Sequence, residues 1–272
     1  MRGIKHLLLY LFLMVAGLFL LYPLFFTFST SLMTPEESGL YPPKLLPSHL
    51  YLANFKESLE TAPLVRFLLN STAVSLIVTV GQLLTSSLAA YAFAFIPFKG
   101  RNLLFSLFLS TMMIPWEVAV IPNYLTIKSW GWLDSYQGLT VPFLASAFGT
   151  FLLRQSFLQL PKDLIEAAKI DGAGHLRIYA GIVLPIARPA LATLGVYAFL
   201  TTWNMYLWPL LITNSETMRT VQIGVGMLQW QESTAWNLVL AGITIVLLPS
   251  LFVLLFGLKQ LIQGLSAGAL KG

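Results

Sequence analysis

Glu166-Ala167-Ala168-Lys169-Ile170-Asp171-Gly172-Ala173, then eight further residues, then Ile182-Val183-Leu184-Pro185, is a helix-forming, largely polar stretch set between long apolar runs. Pro161 fits the first turn of a helix, where its missing N–H costs little. Asp163 near that start suits the positive helix end. Leu164, Ala167 and Ala168 fall on one face at helical spacing, with Ile165 adjacent. Asp171-Gly172 is a stop signal, because glycine supplies the positive φ on which helices commonly end. A second short helix is predicted from about His175 to Val183, with Pro185 and Pro189 punctuating the entry to the next apolar run. The predicted unit, residues 159–186, is a helix–turn–helix hairpin. Its small alanines permit close approach of a partner, and Glu166 can pair with a partner arginine or cap a partner backbone. From composition alone, an ordinary amphipathic connector stands equally beside that reading.

The flanking sequence says where such a hairpin sits. Of 272 residues, 57% are hydrophobic and 10% charged, whereas a soluble domain carries about 25% charged residues. The chain is therefore read as an all-α, polytopic integral membrane protein in a single domain covering 1–272. A span needs about 20 mostly apolar residues. Six stretches qualify: Leu7–Phe28, Ser71–Ile96, Leu103 to about Tyr124, Leu139–Leu158, Pro189–Ile212 and Leu238–Leu258. Met1–His6 resembles the charged start of a signal peptide. The apolar run after it is longer than the usual 7–15 residues or so, and no small-x-small site follows, so the first span is read as retained. Lys44, Lys56, Arg66, Lys128 and Arg219 fall on one side; the other eleven of the 16 lysines and arginines fall on the other. The richer side is predicted to be cytoplasmic. Both termini and the 159–186 hairpin are then inside, between the fourth and fifth spans. The net charge of +5 is explained by this orientation, without nucleic acid. All seven tryptophans, Trp230 included, fall toward the outside, where an aromatic belt accounts for most of them.

The outer segment 29–66 holds five prolines, so it cannot be one helix. Tyr51 to Phe55 can start a short amphipathic helix there. Pro115 and Pro122 bracket Trp116–Ile121, and a break or kink in the third span is predicted at this point. Glu117 is a carboxylate near membrane depth, and such residues are costly. It reads equally as a functional group or as one resting in the wet interface. Gln82, Ser86 and Ser87 lie within the second span, where bonding between helices is the simplest role. With no cysteine, thiolate metal sites and disulfides are excluded. No phosphate-binding G-x-x-x-x-G-K-[ST] loop or H-E-x-x-H occurs. No metal site, bound cofactor or catalytic activity is expected in this chain.

Glu166-Ala167-Ala168, three residues, Gly172, nine residues, Ile182, one residue and Leu184-Pro185 together resemble the EAA loop of bacterial ABC importer permeases. Further blocks narrow the resemblance. They are Asn70-Ser71-Thr72, Ala89–Ala94, Met113-Ile114-Pro115, Leu133–Leu139, Phe151–Gln155, Trp203–Leu210 and Gly264–Gly272. Over nearly the whole chain these look like the carbohydrate-type permeases that include the maltose and sn-glycerol-3-phosphate systems. Pro115–Val118 and Trp203–Leu210 lean toward the latter.

The resemblance implies a bacterial inner-membrane subunit and a set of partners. These are a homologous second permease, two copies of an ATPase that bind ATP and magnesium, and an extracytoplasmic solute-binding protein. It implies that Glu166, Ala167, Ala168, Asp171, Gly172, Ile182, Leu184 and Pro185 form the coupling helix seated on the ATPase. For the solute route, polar and aromatic residues near predicted breaks are the candidates: Glu117, Asn123, Trp203, Asn204 and Tyr206. Their aromatic faces and amides suit sugar hydroxyls, while interface or packing roles compete, most strongly for Tyr206 and Trp208. No lysine or arginine falls at mid-membrane to meet a phosphate. A secondary transporter and a membrane scaffold are the rival readings.

Overall fold

The computed structural model describes residues 2–229 and 235–266, with side chains over 5–228 and 235–260. Trp230, Glu232, Lys271 and the last six residues of the Gly264–Gly272 block lie outside the described residues. The helices are α1 (Arg2–Thr30), α2 (Pro35–Ser38), α3 (Ala53–Thr61), α4 (Leu64–Phe95), α5 (Arg101–Ser110), α6 (Trp116–Ser129), α7 (Tyr136–Thr140), α8 (Ala147–Leu158), α9 (Lys162–Ile170), α10 (His175–Ile178), α11 (Leu184–Ile186), α12 (Arg188–Trp203), α13 (Leu207–Ile212), α14 (Val221–Gln229) and α15 (Trp236–Ser266). The protein is an all-α polytopic membrane protein, as its composition requires.

Among the described residues, three continuous helices are long and apolar enough to cross a membrane: Lys5–Thr30, Leu64–Phe95 and Trp236–Gln260. Three more spans form only if bent pairs are counted. These are Arg101–Met113 with Trp116–Ser129 at 97°, Tyr136–Phe143 with Ala147–Leu158 at 45°, and His175–Ile186 with Arg188–Trp203 at 78°. The expected break in the third span falls at Ile114-Pro115, where Pro115 precedes the first turn of α6, while Pro122 is carried inside that helix. The fourth span, expected to be continuous from Leu139, is interrupted at 144–146. The fifth ends at Trp203 and resumes as the short α13. The second begins at Leu64, seven residues earlier than expected, and takes in Arg66.

One contact unit comprises residues 1–68 and 223–248. Its segment 29–66 is non-helical between α2 and α3, and the amphipathic helix starts at Ala53. Buried Asn54 organises it. Its amide donates to the carbonyls of Ser31 (2.9 Å) and Met33 (2.8 Å), and its oxygen accepts from Asn237 (2.7 Å). Lys44 pairs with Glu37 at 2.8 Å, and this ion pair with the Ser48 bonds holds the Glu37 carboxyl down to about 2. Gly224 lets α14 lie against Phe67 and Leu64, which a Cβ there would strike. The apolar side chains of α1 from Leu7 to Val15 and from Leu18 to Tyr22 are exposed, a surface for lipid or another chain.

The second unit comprises residues 69–222 and 249–272. Among the described residues, one apolar core is built around Leu153, Phe157, Ile178 and Val183, and another around Val78, Ile127, Leu139, Trp208 and Ile212. Trp203 (2% exposed) and Trp208 (0%) are packed inside the protein rather than set in an interface belt. The Trp208 indole N–H reaches the Gly138 carbonyl at 3.0 Å, so its one polar atom is satisfied where it is buried. The break before α8 is also satisfied from within. Gln82 donates to the Phe143 carbonyl (2.9 Å), Thr85 to Leu144 (2.7 Å) and Ser86 to Ser146 (3.4 Å). Non-helical backbone at membrane depth persists only where protein or water meets its polar groups, and α4 supplies these donors.

Candidate functional site

The hairpin forms as its sequence dictates, with one change of face. Pro161 stands just before α9, Asp163 is in its first turn and Lys169 in its last, each with the sign that the helix dipole favours. Gly172 takes φ +78°, and its N–H bonds the Lys169 carbonyl (3.0 Å) while the Ala173 N–H reaches back to Ala168 (2.9 Å). This is a Schellman ending, and it satisfies carbonyls that would otherwise be orphaned. The packed face is Ile165, Ala168 and Ala173, which join the core around Leu153 and Phe157. Leu164 and Ala167, expected to share a face with Ala168, point outward instead. Packing Ile165 and Ala168 at i,i+3 turns them away.

The second helix runs on past Val183 to Ile186, so Pro185 lies inside it and does not end it. Proline has no N–H for the carbonyl four residues back, and the ladder is re-spaced through a wider π-helical turn at Tyr179–Val183. The chain then turns by 78° at Ala187 into α12. Of the eight residues expected to form the coupling helix, Ala168, Ile182 and Leu184 pack inward, whereas Glu166, Ala167, Asp171, Gly172 and Pro185 are exposed. Leu164, Ile170 (85% exposed), Leu176 (77%) and Ile186 are further apolar residues that the hairpin leaves exposed. The inner face fastens the hairpin and leaves the outer face exposed among the described residues.

Two hydroxyl contacts fix the hairpin to α4. Ser87 Oγ lies 2.7 Å from the Tyr179 hydroxyl, and the Tyr91 hydroxyl lies 3.1 Å from His175 Nδ1. Sequence reading missed these partners, although Gln82, Ser86 and Ser87 marked α4 as a helix with polar groups to satisfy.

A denser polar clamp lies in the Leu133–Leu139 block. Asp134 adopts φ +50°, a left-handed conformation that aspartate tolerates. Its carboxylate accepts from the Asn214 amide (2.7 Å), the Ser215 amide (2.8 Å) and the Ser215 hydroxyl (3.0 Å). Burial pushes its pKa upward, but these hydrogen bonds and the Arg219 charge outweigh burial and hold it below the usual range. Tyr136 donates to Asn70 (2.8 Å), whose amide donates to the carbonyls of Thr217 (2.9 Å) and Arg219 (2.8 Å). Ser71 accepts from the Val221 amide at 2.9 Å.

The solute-route candidates do not gather into one constellation. Glu117 is exposed in the first turn of α6, and Asn123 is half-buried further along it. Asn204 is exposed and donates to the Leu200 carbonyl (2.8 Å), while Tyr206 is 45% exposed beside the α12–α13 break. Trp203 is buried with its ring stacked on Phe199, so within this chain it packs and offers no open face. A shallow cavity of about 350 Å³ is lined by Pro97, Phe98 and Gly100–Leu103, and none of these candidates lines it. Among the described residues no three His, Asp or Glu side chains cluster as metal ligands would.

Breaks satisfied from neighbouring helices, long apolar helices and a capped hairpin with an exposed outer face define a multi-pass membrane protein. Residues 82–264 match the family described as the binding-protein-dependent transport system inner membrane component, and the chain belongs to that family. It is 36% identical to the sn-glycerol-3-phosphate transport system permease protein UgpE of Brucella suis biovar 1 (strain 1330), across 97% of each chain. It is 38% identical to the UgpE protein of Yersinia enterocolitica serotype O:8 / biotype 1B (strain NCTC 13174 / 8081), across 93% of each. Its fold is similar to a chain in the crystal structure of a bacterial ABC transporter involved in the import of the acidic polysaccharide alginate. There the TM-score is 0.84 and the identity 24%, over 94% of this chain and 96% of that one.

Proposed function

We propose that this chain is one of two homologous permeases in an ATP-driven importer for a sugar or sugar-like solute, with sn-glycerol-3-phosphate the leading candidate. Relatives at 36% and 38% identity over most of their length carry that solute in their names, and this supports the choice. The chain acts as a single permease domain that forms half of the route and performs no chemistry itself. ATP and magnesium are held by two copies of a separate ATPase, and an extracytoplasmic binding protein delivers the solute. Lipid covers the apolar helices, α1 foremost. Both termini and the hairpin are cytoplasmic, and segment 29–66 lies outside.

The observation that carries this reading is the hairpin's division of labour. Ala168, Ile182 and Leu184 secure it, and Glu166 and Ala167, with the exposed apolar residues of the same hairpin, remain open to a partner. Coupling between two sites requires an element whose position both can bias, and a capped helix pair transmits displacement better than a loop. Glu117, Asn123, Asn204 and Tyr206 remain the solute-route candidates of this subunit. Trp203 contributes through packing until a partner or a second state uncovers it.

The test is uptake by proteoliposomes holding the whole complex and its binding protein. Uptake should require ATP on the ATPase side of the membrane, survive collapse of the proton gradient, and be competed by sn-glycerol-3-phosphate more strongly than by neutral sugars. Transport by the purified chain alone, driven by an ion gradient, would overturn the reading in favour of a secondary transporter.

A further inference from the structure

The hairpin rests on the spans through two kinds of contact. Ile165, Ile178 and Val183 pack on the core around Leu153, Phe157 and Ala90. Apolar packing of this kind resists separation but is non-directional, so it does not by itself set the register of one helix along another. The hydroxyl contacts do. Ser87 and Tyr91 are one turn apart on α4, and His175 and Tyr179 are one turn apart on the hairpin's second helix. They pair in opposite order, Ser87 with Tyr179 at 2.7 Å and Tyr91 with His175 at 3.1 Å. Residues at i and i+4 share a helix face, so the two contacts form a ladder of two rungs. A slip of one turn breaks both.

The α4 ends of both rungs are buried, while Tyr179 is half-buried and His175 exposed. Ser87 is 2% exposed and Tyr91 5%. The Ser87 hydroxyl donates to the Leu83 carbonyl of its own helix, so Tyr179 is the donor across the gap. The Tyr91 ring meets Tyr179 and His175 edge-on, with centroids 5.4 and 6.0 Å apart. Tyr179 opens the π-helical turn that Pro185 imposes. The wider turn therefore starts at the very residue that grips α4.

We propose that Ser87, Tyr91 and Tyr179 are positioning residues that pass displacement of the hairpin to α4, the long helix that also supplies the donors for the α7–α8 break. The proposal rests on the importer reading above. It adds that the directional bonds, and not the apolar packing alone, make the hairpin and the span move as one.

The whole complex in proteoliposomes is compared with Ser87→Ala, Tyr179→Phe and the double variant Ser87→Ala/Tyr91→Phe. The readouts are ATP hydrolysed and solute accumulated in the same vesicles. Hydrolysis should stay within about twofold of the unsubstituted complex, while solute moved per ATP falls by about tenfold in the double variant, a loss on the scale of one or two hydrogen bonds. Ser87→Thr, which keeps the hydroxyl, should restore the ratio. An unchanged ratio in the double variant overturns the joint. So does a loss of hydrolysis and of ATPase attachment in step with transport, which would mean that these groups only hold the hairpin's shape. If the unsubstituted complex takes up solute without ATP, the importer reading itself falls, and the joint with it.

Discussion

The hairpin and the Asp134 clamp are opposite solutions to ordering a connection between membrane helices. The clamp turns its polar groups inward. The Asp134 carboxylate holds three donors, and Asn70 links Tyr136 to two carbonyls further along the chain. The hairpin is ordered by its own Schellman ending and by an apolar inner face, and its charged and apolar outer groups are left open. A connection that uses its hydrogen bonds internally gains rigidity and has little left to offer a partner. One that is capped locally and packed on one face keeps a whole surface for docking.

The contrast breaks most visibly at Asp134. Asp134→Ala leaves two backbone amides and a hydroxyl without their acceptor, at a cost of roughly 3 kcal/mol in stability. Thermal unfolding of the purified protein in detergent should show a clear drop in Tm. Gln82→Leu is the intermediate case, since it strips the Phe143 carbonyl of its donor at membrane depth. It should cost about 1–3 kcal/mol by the same measurement.

Gly172→Val sharpens the contrast from the other side. A β-branched residue at φ +78° costs about 1–2 kcal/mol locally. Space is not the obstacle, because nothing stands within 4 Å of an added Cβ. Solute moved per ATP should fall by far more than the modest change in Tm suggests. Glu166→Arg is the cleanest separation. On an exposed helix face it should change stability by less than about 0.5 kcal/mol while uncoupling hydrolysis from uptake.

Acid should distinguish the two regions as well. The Asp134 carboxyl is held below its usual range, so its contribution is fully present above the ordinary aspartate value of about 3.9. That contribution is lost as the pH falls through the lowered value. Protection of the Asn214 and Ser215 amides, with exchange corrected for its intrinsic pH dependence, should be lost on acidification before protection in α9 is.

Much of the hairpin is legible in the sequence because its determinants are local. Asp171-Gly172 ends α9, and Gly172 has the positive φ that the dipeptide signals. Pro115 sets the α5–α6 break for the same kind of reason. The face that α9 buries is misjudged at Leu164 and Ala167, because that choice is made by Phe157 and its neighbours. Burial of Trp203 and Trp208 is hidden too: the indole of Trp208 finds the Gly138 carbonyl across 70 residues of chain, and no periodicity records such a partner. Gln82, Thr85 and Ser86 are visible as polar residues in a span. That they satisfy the break at 143–146 depends on pairings about 60 residues apart.

If the outer face of the hairpin is the seat of the ATPase, contact chemistry in the intact complex should find it there and not at the clamp. A photo-cross-linking residue is placed at Ala167 and, in a second preparation, at exposed Trp130 beside the clamp. The expected result is an ATPase adduct from position 167 and none from position 130. An ATPase adduct from position 130, or none from position 167 in a complex that still hydrolyses ATP, would mean that the ATPase bears on this permease somewhere other than the hairpin.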